Sequence, residues 1–312
     1  MAPLAAFAFR SEDWLAKREI LSREAERLQV AYTSCVARVE EPAVDVVMPF
    51  ERYPDGSVKA SVTAKKAQVF LETGMIWGAD VTVSQFSTNG VESARVEADG
   101  CVIDRDTKSG WVQGHAKAVY LGNEAEGDGI YFSFPEEFVT IYANTRIRVK
   151  DRKFDAKTMM IGGGGKAARR DAEITAVRTD YDRSDGVVLF EGAVSVTDSE
   201  YTLGADRLYA FLDGTNSLKR VVADGSVTVT NGTRSGSCPR AAYVKALGRV
   251  TMYGDGGAPA RLADNGSRRS EVEGRKISFW LDSEQVEVEG STLTVDGNVS
   301  GGMDSLMKQA VK

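Results

Sequence analysis

The chain has 312 residues, 42% hydrophobic and 27% charged, with 31 Gly, 7 Pro and a net charge of -6. That length allows one large β domain or two smaller ones with real cores, and the acidic balance offers no general attraction for nucleic acid. One His and three widely spaced cysteines (Cys35, Cys101 and Cys238) form no metal-ligand cluster, so neither a metal nor a cofactor is expected.

Met1 to Phe9 is apolar and contains Ala6-Phe7-Ala8, the A-x-A pattern of a signal-peptide cleavage site, and is read as a signal-peptide remnant. In an exported protein two of the three cysteines could be oxidised, with at least one left free or paired between chains. Residues 10–42 form a helix and lead-in. Trp14, Leu21, Ala25 and Leu28 fall on one stripe within Ser11 to Val30, which predicts a helix that plugs one end of a β-structure.

From Ala43 the apolar period becomes two. Ser57-Val-Lys-Ala-Ser-Val, Ala67-Gln-Val-Phe-Leu-Glu, Asp80-Val-Thr-Val-Ser, Cys101-Val-Ile-Asp, Ala116-Lys-Ala-Val-Tyr-Leu, Ile130-Tyr-Phe-Ser-Phe, Val139-Thr-Ile-Tyr and Arg146-Ile-Arg-Val read as strands. Pro54-Asp-Gly, Thr88-Asn-Gly and Asp128-Gly read as turns between them. Residues 43–150 are thus a first β half. Residues 151–170, with Gly162 to Gly165, read as a connection. The glycine run is not a phosphate loop, because Ala167 follows Lys166 where Ser or Thr is needed and Met160 stands where the first Gly belongs.

The second β half, 171–300, carries a repeated unit. Glu191-Gly-Ala-Val-Ser-Val-Thr recurs as Asp224-Gly-Ser-Val-Thr-Val-Thr, Leu247-Gly-Arg-Val-Thr-Met-Tyr, Glu273-Gly-Arg-Lys-Ile-Ser-Phe and Glu289-Gly-Ser-Thr-Leu-Thr-Val, 16 to 33 residues apart. Each unit reads as a polar residue and Gly at a turn followed by a short alternating strand, as in a serial β-stack. Residues 301–312 are a tail.

Catalytic patterns are missing from what the residues spell. His115 has no cysteine or G-x-S-x-G elbow beside it. Asp180-Tyr-Asp-Arg-Ser-Asp-Gly starts like a calcium loop, but its sixth place is Asp185 rather than the Gly that the sharp turn of such a loop needs, so a turn is expected. The acidic residues lie mostly at turns and define no carboxylate pair. No enzyme is expected; binding or structure remains.

The second half resembles the OstA-like domain of the LptA–LptC family of periplasmic lipopolysaccharide-transport proteins. The Gly-x-Val-x-Val units, Tyr201-Thr-Leu-Gly-Ala-Asp-Arg-Leu-Tyr-Ala and Glu271-Val-Glu-Gly-Arg-Lys-Ile-Ser-Phe-Trp carry that resemblance. The first half looks like the LptC type through Asp55-Gly-Ser-Val-Lys-Ala-Ser-Val-Thr-Ala-Lys-Lys-Ala-Gln-Val and Gly78-Ala-Asp-Val-Thr-Val.

The resemblance implies an all-β, OstA-like jellyroll (β-taco) of two facing antiparallel sheets with one N-terminal helix. It implies a periplasmic, non-enzymatic component of lipopolysaccharide export whose apolar groove holds the acyl chains of lipid A. One chain of about twelve carbons costs on the order of 10 kcal/mol to move through water, at roughly 0.8 kcal/mol per CH₂. A groove removes most of that barrier.

Alternation places the candidate groove-lining residues on shared faces. In the first half they are Val81, Val83, Phe132, Phe134, Val139, Ile141, Ile147 and Val149. In the second they are Val194, Val196, Val227, Val229, Val250, Met252, Ile277, Phe279, Val286 and Val288. The expected partners are lipopolysaccharide through lipid A, and other OstA-like proteins or a second copy of this chain, joined by edge-strand pairing. The helix from Ser11 would cover the N-terminal edge, leaving Ser291 to Val299 as the docking edge. The alternative is an exported structural or adhesive β-solenoid with a dry core and no lipid ligand.

Overall fold

The computed structural model describes residues 11–120, 122–150, 171–199, 201–214, 217–232, 234–265, 270–280, 286–290 and 292–295. The signal-peptide remnant, the connection at 151–170 and the tail lie outside the described residues. The chain divides into two compact units: Met1–Ala118 with Asp128–Glu136, and Val119–Gly127 with Glu137–Lys312.

The first unit opens with α1 (Ser11–Ala37), which runs past Val30, where the sequence suggested an end. Its last turns contain Thr33 and Ser34, whose hydroxyls donate back to the carbonyls of Gln29 and Val30 at 3.3 and 3.1 Å. Both hydroxyls thus find their acceptors inside the helix rather than capping it at Val30.

The strands of this unit are β1 (Ala43–Arg52), β2 (Val58–Phe70), β3 (Met75–Phe86), β4 (Glu92–Asp104), and most of β5 (Ser109–Tyr120) and β6 (Asn123–Ser133). β1, β2, β3 and β4 pair antiparallel in that order. The helix makes its main strand contacts away from the β1 edge that it was expected to cover. It lies against β3 and β4. Trp14, Leu21, Ala25, Leu28 and Cys35 form its buried stripe, and Trp77 and Val102 are buried on the strands.

A helical stripe needs an apolar sheet face to cover it, and the Trp77–Val102 cross-strand pair supplies one. Gly100 lets the helix come close, since a Cβ there would stand 2.5 Å from the Tyr32 hydroxyl. Polar contacts fix the helix over the β4–β5 turn. Arg27 donates to Asp104 at 2.5 Å, and Ser109 donates to Glu24 at 3.1 Å.

The second unit continues with β7 (Phe138–Val149), β8 (Ala172–Ala176), β9 (Arg178–Asp182), β10 (Val187–Thr197), β11 (Thr202–Leu212), β12 (Leu218–Asn231) and β13 (Arg234–Val244). β14 (Arg249–Tyr253), β15 (Ala260–Asp264), β16 (Ser270–Gly274), β17 (Lys276–Trp280), β18 (Val286–Glu289) and β19 (Thr292–Val295) complete it. β7 pairs with β8 and β9, so it belongs to this unit's ladder although the sequence reading grouped it with the first half.

The pairings resolve into two arms of one folded sheet. The first arm runs β7, β9, β10, β11, β12, β13, β14, β17, β18, using the 138–141 end of β7. The second runs β7, β8, β10, β11, β12, β13, β15, β16, β19, using its 145–149 end. β10 to β13 pass through both arms, and the short strands β8–β9, β14–β15, β16–β17 and β18–β19 are pieces of such long strands. The two facing layers that the sequence suggested are therefore the two arms, about 38 Å deep over nine strands at roughly 4.8 Å each.

The fold line explains the repeated unit. Gly192 and Ala193 (φ 80° and 47°), and Gly225 and Ser226 (φ 77° and 49°), are left-handed pairs inside β10 and β12. They are creases in mid-strand rather than hairpin turns. Each inserts one extra residue relative to its neighbours, between Glu191 and Val194 and between Asp224 and Val227. A bulge of this kind bends a strand sharply. Ala193 and Ser226 give up about 1–2 kcal/mol each in that conformation, and the apolar rows closed by the bend offset it. Asp128-Gly129, expected as a turn, is likewise inside β6.

Candidate functional site

The second unit's interior is built from cross-strand rows. On the first arm one row runs Ile141, Thr179, Phe190, Leu208, Ala223, Ala241, Met252, Ile277, Val288. Beside it run Val139, Tyr181, Val188, Ala210, Val221, Tyr243, Val250, Phe279 and Val286. On the facing arm the row is Ile147, Ile174, Val196, Leu203, Val229, Gly236, Leu262, Val272 and, by backbone register, Leu293. No position in these rows is charged.

The two arms pack into one core that holds Phe190, Leu208, Met252, Ile277 and Phe279 from the first arm and Val194, Val196, Val227 and Cys238 from the second. Ile147, Ile174, Leu203, Val229, Leu262 and Val272 are only partly buried against it, while Val196 in the same row is 2% exposed, so this row is a partly buried rim of the fold. Among the described residues a small cavity of about 40 Å³ lies between Val196, Leu203, Leu208, Val229, Tyr243 and Met252. That is close to the room one water molecule takes.

The first unit solves the same geometry differently. Its rows are Met48, Val62, Val83, Val96 and Val46, Ala64, Val81, Ala98 on one side of its crease, and Ala43, Ala67, Gly78, Cys101 on the other. Asp45 (φ 53°) and Asp80 (φ 49°) mark that crease. Small residues, Ala43, Ala64, Ala67 and Gly78, stand in these rows. The result is a cavity of about 260 Å³ lined by Val46, Met48, Val62, Ala64, Ala67, Val69, Ile76, Val81, Cys101 and Ile103, with Glu41 and Gln68 as its polar members. The Gln68 carboxamide oxygen accepts the Glu40 backbone N–H at 3.2 Å.

Electrostatics keep both interiors neutral. Burial pushes the Cys101 thiol up to about 12. It pushes Cys238 up to about 11 against the smaller opposing pull of two backbone N–H groups. All three cysteines are free and buried. At neutral pH these thiols behave as small apolar groups.

Charge is kept to the outer face at the fold line. Arg178, Glu191, Arg207, Asp224, Arg240, Tyr253, Lys276 and Glu289 form one cross-strand row. Within it Asp224 accepts from Arg207 at 3.0 Å and from Arg240 at 2.7 Å, and Lys276 reaches Glu289 at 2.5 Å. Alternating signs penalise a one-strand slip, which would put like charges opposite each other.

Of the residues expected to line a groove, Val81 lines the larger cavity and Val83 sits in the adjoining row. Val139, Ile141, Ile147, Val194, Val196, Val227, Val229, Val250, Met252, Ile277, Phe279, Val286 and Val288 are brought together on the inner rows of the second unit or in the core they enclose. Val149, opposite Ala172, is partly buried beyond Ile147.

Phe132 and Phe134 do not share a groove. Phe132 packs over Gly110, while Phe134 lies past the end of β6, 44% exposed and edge-on to Phe132 at 5.2 Å. Only the first of the two is inside the strand, which ends at Ser133. Sequence reasoning missed most of the larger cavity. Ala64, Ala67, Gly78 and Cys101 are small, and β3 and β4 change inward parity at their crease (Val81 and Gly78, Ala98 and Cys101), so strict alternation loses them.

Other polar groups have local roles. His115 Nδ1 is 2.9 Å from Asp128, both partly exposed. Asp182 accepts from Ser184 and from the Asp185 backbone N–H in the β9–β10 turn. Asp180, fully buried, accepts from Thr140 at 2.7 Å and from Arg178 at 2.9 Å. Among the described residues no group of His, Cys, Asp and Glu could hold a metal ion, and no helix is long and apolar enough to cross a membrane.

Residues 173–299 match the family model of the LptA/(LptD N-terminal domain) LPS transport protein. No curated protein matches the chain. Among solved structures, the chain is similar to LptH from Pseudomonas aeruginosa, described as the LptA homologous periplasmic component of the conserved lipopolysaccharide transport device. The identity is 15%, over 40% of this chain and 95% of that one, with a TM-score of 0.35. Over residues 173–299 this chain is therefore similar to the LptA/(LptD N-terminal domain) family of lipopolysaccharide-transport proteins.

Proposed function

We propose that this chain works in the periplasm as a non-enzymatic carrier that holds acyl chains of lipid A during lipopolysaccharide export. The observation that carries the reading is the 260 Å³ cavity of the first unit, walled almost wholly by apolar side chains. A cavity of 150 Å³ holds the six carbons of benzene, so this one has room for about ten carbons of a single chain. The second unit has uncharged rows of its own, whose partly buried rim residues would meet lipid first. The LptC-like character of the first half belongs to this reading too.

Assembly follows from the edges. Among the described residues no strand follows β18 and β19 in the ladder, and such an edge can accept a strand from another OstA-like protein or a second copy. Part of the expected docking segment, Ser291 and residues 296–299, lies outside the described residues.

A second reading, a dry core without lipid, draws support from the second unit, whose cavity among the described residues is only about 40 Å³. Mass spectrometry of the full chain purified gently from cells separates the two. Co-purified lipid A that disappears in Ala64→Leu supports the carrier. Absence of lipid from the wild-type protein supports the dry core.

A further inference from the structure

The rim row of the second unit has a single gap. At each described place across the arm it carries Ile, Val or Leu, except at Gly236, between Val229 and Leu262. That gap is filled from the opposite arm. A Cβ on Gly236 would stand 3.0 Å from Met252 Cε and 3.4 Å from its sulfur. Met252 is 2% exposed and also lines the 40 Å³ cavity. One side chain therefore crosses the interior and seats its tip in a notch cut for it.

Methionine suits a movable part. It is unbranched, with three rotatable bonds and a polarizable thioether that repacks readily. Leu or Ile in its place would fill similar space with a branched side chain and fewer rotatable bonds. The first unit's cavity is larger, about 260 Å³, with Met48 in its wall.

We propose that Met252 is a plug that closes the second unit's interior at rest and swings out of the Gly236 notch to admit an acyl chain. This rests on the carrier reading above and specifies how its second compartment is regulated. The first unit would then hold the chain while the second is shut, so lipid enters the second compartment only by displacing the plug.

The test uses the full chain and a dodecanol probe carrying a photoreactive group at its chain end, with crosslinked peptides mapped to each unit. Wild type should label mainly in the first unit. Met252→Ala should raise labelling of β12 to β15 about tenfold, the weight of two newly buried methylenes. Met252→Leu, which keeps the bulk, should leave labelling at the wild-type level. Gly236→Ala, which removes the notch, should force the methionine tip aside and also raise labelling. Equal labelling of the second unit in wild type and Met252→Ala, with both proteins folded by circular dichroism, overturns the plug. Failure of wild type to label anywhere overturns the carrier reading instead.

Discussion

Val196→Asp tests the assignment of the inner face. Val196 is 2% exposed and sits between Ile174 and Leu203 in the rim row, facing the first arm. A carboxyl placed there has no partner and remains neutral by taking up a proton. Holding it protonated at pH 7, against an unfolded value near 3.9, costs about 4 kcal/mol at 1.36 kcal/mol per pH unit.

That is a large part of the roughly 5–15 kcal/mol that keeps a domain folded. At about 2–4 °C per kcal/mol, the melting temperature should fall by about 8–16 °C. The sign is set by linkage. The folded pKa is raised, so the penalty grows as pH rises above the unfolded value and shrinks to about 0.5 kcal/mol at pH 4. Thr197→Asp, one residue on and exposed, should lose about 1 kcal/mol or less, from its place opposite Glu173. Urea denaturation at pH 4 and pH 7 reads both variants. A Val196→Asp protein as stable as wild type at pH 7, or a deficit that does not change with pH, would refute the face assignment.

Other expectations follow from the same geometry. Gly225→Ala should cost about 1–2 kcal/mol from its left-handed backbone, and more because the new Cβ meets the Asp206 carboxylate. Gly256→Ala, with no atom within 4 Å of the new Cβ, should change the urea midpoint little. Ala64→Leu should fill the first unit's cavity, so bound lipid is lost while thermal stability holds or rises. Docking of α1 should weaken in acid. Arg27's hydrogen bond is the main cause that lowers the Glu24 pKa; for Asp104, burial pulls upward but is outweighed by Arg27 and two backbone N–H groups. Depressed carboxylate values contribute stability above the unfolded value near 4 and lose it as pH falls through the lower folded value. Hydrogen exchange of the helix amides should therefore speed up selectively below about pH 4, and Arg27→Ala should weaken that dependence.

The sequence carried much of this fold, and its gaps have a common cause. Helix α1 and its stripe were legible because Trp14, Leu21, Ala25 and Leu28 keep a strict helical period. The valines of β10 and β12 were legible because their left-handed Gly-x pairs add an extra residue, which keeps Val194 and Val227 on the inner face. On β11, β13, β3 and β4 the parity changes at the crease, as between Leu208 and Ala205 or Cys238 and Ala241, so alternation pointed outward for half of each strand.

The creases also imitated turns. Ser57–Val62 and Ala67–Glu72 looked like two strands but belong to β2, and Val139–Tyr142 and Arg146–Val149 both belong to β7. Where the helix packs depended on a sheet face created only by long-range pairing of Trp77 with Val102, which no local pattern displays.

The central claim is that the first unit's apolar cavity holds lipopolysaccharide. A photoreactive amino acid placed at Val62, which lines that cavity, and at Thr63, which points the other way on the same strand, tests it directly in cells. The account predicts a lipopolysaccharide crosslink at Val62 and none at Thr63. Equal crosslinking at the two positions, or none at Val62 in a folded protein, would contradict it.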